Sequence, residues 1–341
     1  MTAHQPVGPL GELVLARETV DRVTERRQDQ AWLDRTWADP GTRVLVVHHG
    51  RALVRVVEGR AELVFISPAE APEGVRFLLG VEAAASGAGE IVYYGVSGPV
   101  EGAPDNPPPA RGTGPGRDTA GRDGLEQDIA PRPLSLREAG SLLGDRDAGL
   151  MTHAVALANW HDTHTHCPID GTPTMVNPGG HSTTCPADRT EHFPRTDPAV
   201  IMLVSDPADR CLLARNKAWP EHRVSILAGF VEPGESAEHA VAREVHEETG
   251  ITVAQVTYLG SQPWPLPRSL MLGYRAEAVG DLTIRVDADE ISEANWYSRD
   301  DLLRALNAGE LALPPAVSIA RRIIEFWYGG ELPDGDRAWL R

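Results

Sequence analysis

Cysteine is scarce in this chain. Cys167, Cys185 and Cys211 are the three in 341 residues, too few for a disulfide framework and suited to a reducing compartment. Long apolar runs are missing too. No stretch approaches the run of about eighteen apolar residues that a membrane span needs, and the mean hydropathy is -0.27. The opening "MTAHQPVGPL" has neither the charged n-region nor the apolar h-region of a secretory signal. A soluble cytoplasmic protein with no membrane partner is expected. Positive charge is in short supply: 32 Lys and Arg stand against 49 Asp and Glu, a net charge of -17. That balance disfavours non-specific nucleic-acid binding. An acidic protein that handles phosphates needs a bound cation to bring the two together.

The length suffices for two or three domains. Residues 44–48, 52–57, 62–66 and 91–94 are short β-branched runs bounded by Gly, Pro or charge, and read as strands. Residues 97–131 are crowded with Pro, Gly and charge, and read as a disordered linker. "LSLREAGSLL" and "DAGLMTHAVALANWHDTH" carry helical periodicity, and 160–195 is turn-rich with two "CPxD" units. From "DPAVIMLVSD" onward strands mix with helices, ending in "AVSIARRIIEFWY". An α/β sandwich is expected there. The organisation is thus residues 1–96 plus 132–159 as an N-terminal α+β domain, 97–131 as linker, 160–195 as a ribbon-like segment, and 196–341 as the α/β domain. Cys211 heads a strand and reads as simply buried.

Within the last domain, "GFVEPGESAEHAVAREVHEETGI" spans Gly229 to Ile251. Gly229 and Gly234 allow tight turns, Ser236 is a suitable N-cap, and Gly250 a suitable C′ residue. Ala237, Val241 and Val245 form an apolar stripe. Glu244, Glu247 and Glu248 sit at i, i+3 and i+4 on one face, where like charges repel and the helix dipole is already negative. At roughly 100° per residue, Glu244 and Glu248 are about 40° apart. A solvated acidic face would explain them. So would a hard divalent cation with oxygen ligands, Mg²⁺ or Mn²⁺.

The spacing Gly229, Glu235, Arg243-Glu244-x-x-Glu247-Glu248-x-Gly250 resembles a complete Nudix box, aliphatic positions included. That resemblance implies a Nudix α/β/α sandwich with a mixed sheet. It also implies that Glu244, Glu247 and Glu248 are ligands of Mg²⁺ or Mn²⁺, and that Arg243 pairs with Glu235. "SQPWPLPRS" resembles the signature of the NADH pyrophosphatase (NudC-type) subfamily, with Leu266 standing where that motif has Phe. Resemblance to the subfamily covers about 132–328. It implies that Glu290 is a further catalytic carboxylate, as metal ligand or base. It also implies that Gln262, Pro263, Trp264, Pro265, Leu266, Pro267, Arg268 and Ser269 line the nucleotide site, and that Phe193 and Phe230 stack on the dinucleotide's rings. Ala320 and Arg137 match further substrate contacts. One stacking ring comes from a second subunit in this subfamily, so a homodimer is implied. Ordinary core packing is the competing reading for the two phenylalanines.

The subfamily carries two C-x-x-C pairs for structural zinc. Here each keeps its first Cys and has Asp second: Cys167 with Asp170, Cys185 with Asp188. Two thiolates and two carboxylates can bind Zn²⁺, and His164, His166 and His181 are alternative donors; a zinc-free ribbon held by packing is the other reading. The implied activity is metal-dependent hydrolysis of the pyrophosphate of NADH or NAD⁺, or of the same bond in an NAD-capped RNA. Another dinucleoside or nucleotide-sugar diphosphate, such as ADP-ribose or diadenosine polyphosphate, is the alternative substrate. A non-catalytic nucleotide sensor is the third reading.

Overall fold

A computed structural model describes residues 8–17, 19–84, 89–103 and 130–333. Most of the linker reading, residues 104–129, lies outside the described residues.

The N-terminal sheet has the order β3-β2-β1-β5-β4, with β6 also paired to β2. Its strands are β1 (Arg43–His48), β2 (Arg51–Val57), β3 (Arg60–Leu63), β4 (Val75–Ala83), β5 (Glu90–Ser97) and β6 (Arg132–Ser135). Two hairpins build one side of it. Each turns on a residue and a glycine that both have positive φ, His49-Gly50 and Glu58-Gly59, the backbone that matches strand twist. Helix α1 (Gln30–Ala38) flanks the sheet, and the one-turn α2 (Leu136–Ala139) follows β6 directly. The sequence reads 134–143 as helix; the structure shortens it, because Leu134 is taken into the β2 ladder.

Helix α3 (Asp145–Thr163) lies against β1, β4 and β5. It buries Leu150, Met151, Ala154, Val155, Leu157, Ala158 and Trp160. Burial on nearly every side marks a helix enclosed between units rather than one facing solvent. Each large apolar side chain it hides contributes about 2 kcal/mol.

A three-stranded ribbon follows, β7 (Met175–Val176), β8 (Thr183–Thr184) and β9 (Glu191–His192). Then comes a mixed sheet ordered β13-β14-β10-β11-β15, with β12 on β10. The ranges are β10 Asp197–Ser205, β11 Cys211–Asn216, β12 Leu227–Phe230, β13 Thr252–Trp264, β14 Ser269–Val279 and β15 Ile291–Tyr297. Strand β10 explains the layers. Val200, Met202 and Val204 point to the face covered by α4 (Ala237–Thr249). Ile201 and Leu203 point to the other face, covered by α5 (Arg299–Asn307) and α6 (Ile319–Tyr328). A strand apolar at every position is one buried on both sides. This is an α/β/α sandwich on a mixed sheet. Cys211 is buried at the head of β11, and burial pushes its thiol up to about 12.

One N-terminal segment serves both sheets. Leu10 and Leu13 complete the core of the mixed sheet, while Leu15, two residues on, belongs to the N-terminal core. No helix among the described residues is long and apolar enough to cross a membrane.

Candidate active site

Helix α4 begins where Ser236 accepts the His239 N–H and ends where Gly250 turns left-handed at φ 71°. Ala240, Val241 and Val245 bury against the sheet, so the rotation that seats them also sets where the glutamates emerge. Arg243 is the hub. Its Nε and Nη2 each donate to Glu235 at 2.9 Å, Nη2 donates to the Phe230 carbonyl at 2.9 Å, and Nη1 donates to both Glu244 and Glu247 at 2.9 Å. These bonds hold the Glu235 carboxyl down at about 2. The Arg243–Glu235 pair read from the sequence is present, and the same guanidinium also spaces two of the other carboxylates.

The three helix glutamates differ in burial. Glu247 is open, its side chain 55% exposed. Glu244 is mostly covered, and burial raises its carboxyl above the usual range. Glu248 is buried, and its Oε2 has no hydrogen-bond partner among the described residues. Burial first, then the charges of Glu244, Glu290, Glu247 and Asp287, push its carboxyl up to about 8. An unpaired buried carboxylate oxygen among other carboxylates is costly unless a cation joins it. Glu290, exposed in the turn before β15, adds its field to Glu244 and Glu248. The donor set is all oxygen, which fits a hard divalent ion.

Gly229 has a different job from the tight turn its sequence suggests. A methyl group there would stand 1.9 Å from the Glu244 carboxyl carbon. The glycine makes room for that carboxylate against β12.

"SQPWPLPRS" forms a hairpin. Residues 261–264 end β13, Ser269 begins β14, and Trp264 pairs with Ser269. Strand β13 is an edge, where Pro263 costs no ladder bond on the outer side. The Leu266–Pro267 peptide in the turn is cis. Gln262 is 1% exposed, and its amide ties the Leu15 N–H to the Val317 carbonyl; its groups are spent inside the fold. Trp264 packs on the N-terminal core, with the Arg137 guanidinium 5.3 Å from its ring centre. Pro265 and Ser269 are buried, Leu266 and Arg268 partly so, and Pro267 is exposed. Arg268 donates to Asp197 at 2.8 Å. Ala320 is buried in α6, its N–H capped by Ser318. Phe193 and Phe230 are 66% and 47% exposed, so neither is spent on the core.

Sequence reading missed Asn159. From α3 its amide donates to the carbonyls of Pro265 and Pro267, at 2.9 and 3.2 Å. Nothing local signals this, since the partners are more than a hundred residues away. In the ribbon, the ligand atoms of Cys167, Asp170, Cys185 and Asp188 all lie within 4.8 Å of one another. His181 is not among them; its Nε2 meets the Leu78 carbonyl at 2.7 Å.

Comparison with known proteins agrees with this geometry. The NUDIX domain profile matches residues 195–317, and the NADH pyrophosphatase zinc ribbon domain profile matches 162–193. The NAD-capped RNA hydrolase NudC of Mycobacterium bovis is 49% identical over 210 residues, 59% of this chain and 67% of that protein. Human NAD-capped RNA hydrolase NUDT12 is 40% identical over 197 residues, 54% of this chain and 42% of that protein. Among solved structures, a NUDIX hydrolase from Nitrosomonas europaea covers 49% of this chain and 95% of its own, at 19% identity and a TM-score of 0.39. The chain belongs to the Nudix hydrolase family. Within it, the chain falls in the branch that carries a zinc ribbon ahead of the catalytic fold.

Proposed function

We propose that the protein hydrolyses the pyrophosphate bond of NADH or NAD⁺ to AMP and nicotinamide mononucleotide, and the same bond at an NAD-capped RNA 5′ end. The observation that carries this is the buried Oε2 of Glu248, without a partner among the described residues, beside Glu244, Glu247 and Glu290. Glu244, Glu247 and Glu248 would hold Mg²⁺ or Mn²⁺, an ion that when bound neutralises phosphate charge and lowers the pKa of the attacking water. Glu290, exposed and unburdened by a salt bridge among the described pairs, serves either as a fourth ligand or as the base that takes the proton from that water. Arg243 keeps Glu244 and Glu247 apart and anchors them to β12. Phe193 and Phe230 present open ring faces for the two bases of a dinucleotide. Arg137 and Trp264 brace the proline hairpin beside the site. The relatives are named for hydrolysis of NAD-capped RNA, and the matching ribbon profile for NADH pyrophosphatase.

Three further parts belong to this reading. The working enzyme is a homodimer in which a second copy lends one stacking ring; exposed Ile169, Met175 and Phe193 on and beside the ribbon support it. Zn²⁺ occupies the ribbon cluster. The chain divides as 1–96 plus 132–159, 160–195 and 196–341, joined by 97–131. A second substrate reading rests on Leu266, which lacks the ring face of the subfamily's Phe and so leaves room for another nucleoside diphosphate derivative.

The test is a product assay on purified protein with NADH, ADP-ribose, diadenosine polyphosphate and an NAD-capped transcript, with and without Mn²⁺. AMP released from NADH or capped RNA in preference supports the first reading. A preference for ADP-ribose or the diadenosine compound selects the second.

A further inference from the structure

The two ribbon turns are built alike. In the first, the Cys167 N–H donates to the Thr172 carbonyl at 2.8 Å and the Gly171 N–H to the Cys167 carbonyl at 2.9 Å. In the second, Cys185 and Thr190, and Arg189 and Cys185, repeat both bonds at 2.9 Å. Each aspartate takes the N–H two residues on: Asp170 from Thr172 at 2.9 Å, Asp188 from Thr190 at 2.8 Å. The turns are therefore pre-shaped by backbone hydrogen bonds. They bring Cys185 Sγ to 3.7 Å from Asp170 Oδ2.

A tetrahedral zinc shell with bonds of about 2.0–2.3 Å has edges of roughly 3.3–3.8 Å. A cluster spanning 4.8 Å reaches that with small side-chain adjustments. The two chemistries are not distributed at random. Cys167 and Cys185 are buried at 2% and 0% exposure, whereas Asp170 and Asp188 are exposed. Solvent meets carboxylate, and sulfur lies beneath.

Thiol oxidation depends on access as well as thiolate character. In an all-thiolate ribbon an exposed thiolate attacks peroxide: the S–O bond forms, the O–O bond breaks, and hydroxide leaves. A neighbouring thiolate then displaces hydroxide from that sulfenic acid to give a disulfide, two electrons having passed to the peroxide, and the ion is lost. At positions 170 and 188 this chain offers carboxylates, which cannot enter that sequence.

We propose that Cys167, Asp170, Cys185 and Asp188 form a mixed sulfur and oxygen zinc site that keeps its metal under peroxide because its solvent-facing half is not oxidisable. This rests on the reading of the ribbon as a metal site, and the experiment separates the two. Purified full-length protein is loaded with zinc, and metal content is measured after exposure to hydrogen peroxide and, separately, to a chelator. Wild type is expected to hold its zinc through a peroxide treatment that empties D170C/D188C, yet to yield zinc to the chelator sooner than that variant does. C185S, lacking a buried thiolate, is expected to hold none. Binding of no zinc by wild type would overturn the metal reading itself. Zinc bound by wild type but lost to peroxide as fast as from D170C/D188C would overturn the inference alone. Should the double variant misfold, D170C serves in its place, with the same two outcomes.

Discussion

The two acidic clusters of this molecule differ in what they lack. On α4, Glu248 is buried with an oxygen that nothing in the described fold satisfies, while Glu244 and Glu290 press charge upon it. In the ribbon, Asp170 and Asp188 are exposed and each has its own turn N–H. The helix cluster is under tension without a cation. The ribbon cluster is at rest without one and offers a shell ready to receive it. Crowding alone therefore says little; the informative feature is a charge that the protein itself leaves unanswered.

The largest test of that contrast is Glu248→Gln. Its turnover should fall roughly a thousandfold, matching the several kcal/mol that metal-ion charge stabilisation supplies, with the fold intact by circular dichroism. The same substitution sharpens the point through pH. The native Glu248 carboxyl sits near 8, raised from the ordinary carboxylate range. The metal-free native state therefore holds a proton that the unfolded chain has released. Stability from that group is full below the unfolded pKa and is lost as pH rises through about 8. Melting curves in chelator should show this decline for wild type and not for Glu248→Gln, and added Mn²⁺ should remove it.

Next comes Gly229→Ala, whose methyl would displace the Glu244 carboxylate. Overpacking of this kind costs about 1–3 kcal/mol, and turnover should fall along with melting temperature. No comparable loss is expected from Gly171→Ala in the ribbon, where open space surrounds the missing side chain and only the positive φ opposes it. Asn159→Ala should leave kcat near wild type and raise KM about tenfold, since two hairpin carbonyls lose their donor at about 1 kcal/mol or a little more. An unchanged KM would show that the hairpin holds itself.

The smallest effect concerns the seam between ribbon and N-terminal sheet. His161 meets the Gly180 carbonyl at 2.8 Å, and His181 meets that of Leu78. Burial lowers both imidazoles, His181 to about 4. The depressed group favours the folded state above its unfolded pKa, and that stability is lost as pH falls towards 4. His181→Gln, which keeps a donor and cannot be protonated, should flatten the acid limb of the melting profile.

Much of the catalytic half was legible because its logic is local. The spacing from Gly229 to Gly250 lies within one loop and one helix, and the uninterrupted apolar run of β10 announces burial on both faces. The N-terminal sheet was harder. Strand β4 has Gly80 inside its buried run, Phe77 to Val81, a residue that weakens a strand reading. Helix α1 buries Leu33 alone among its nine residues, too little for a clear stripe. Asn159 was invisible because its partners are more than a hundred residues away, and the reason for Gly229 because spacing alone does not show that the Glu244 carboxylate folds back against β12. Gln262 was legible as part of a motif, but its bridge from Leu15 to Val317 appears only when the chain ends meet.

That meeting has a practical corollary. Leu10 and Leu13 sit in the core beneath α6, and the Leu10 carbonyl accepts from Arg322. A fragment excised at the boundary of the NUDIX match, near residue 195, would leave two leucine-shaped vacancies under that helix and strip the cover from Trp264. Such a fragment should be recovered mainly as aggregate, and supplying residues 8–17 as a separate peptide should bring part of it back into solution.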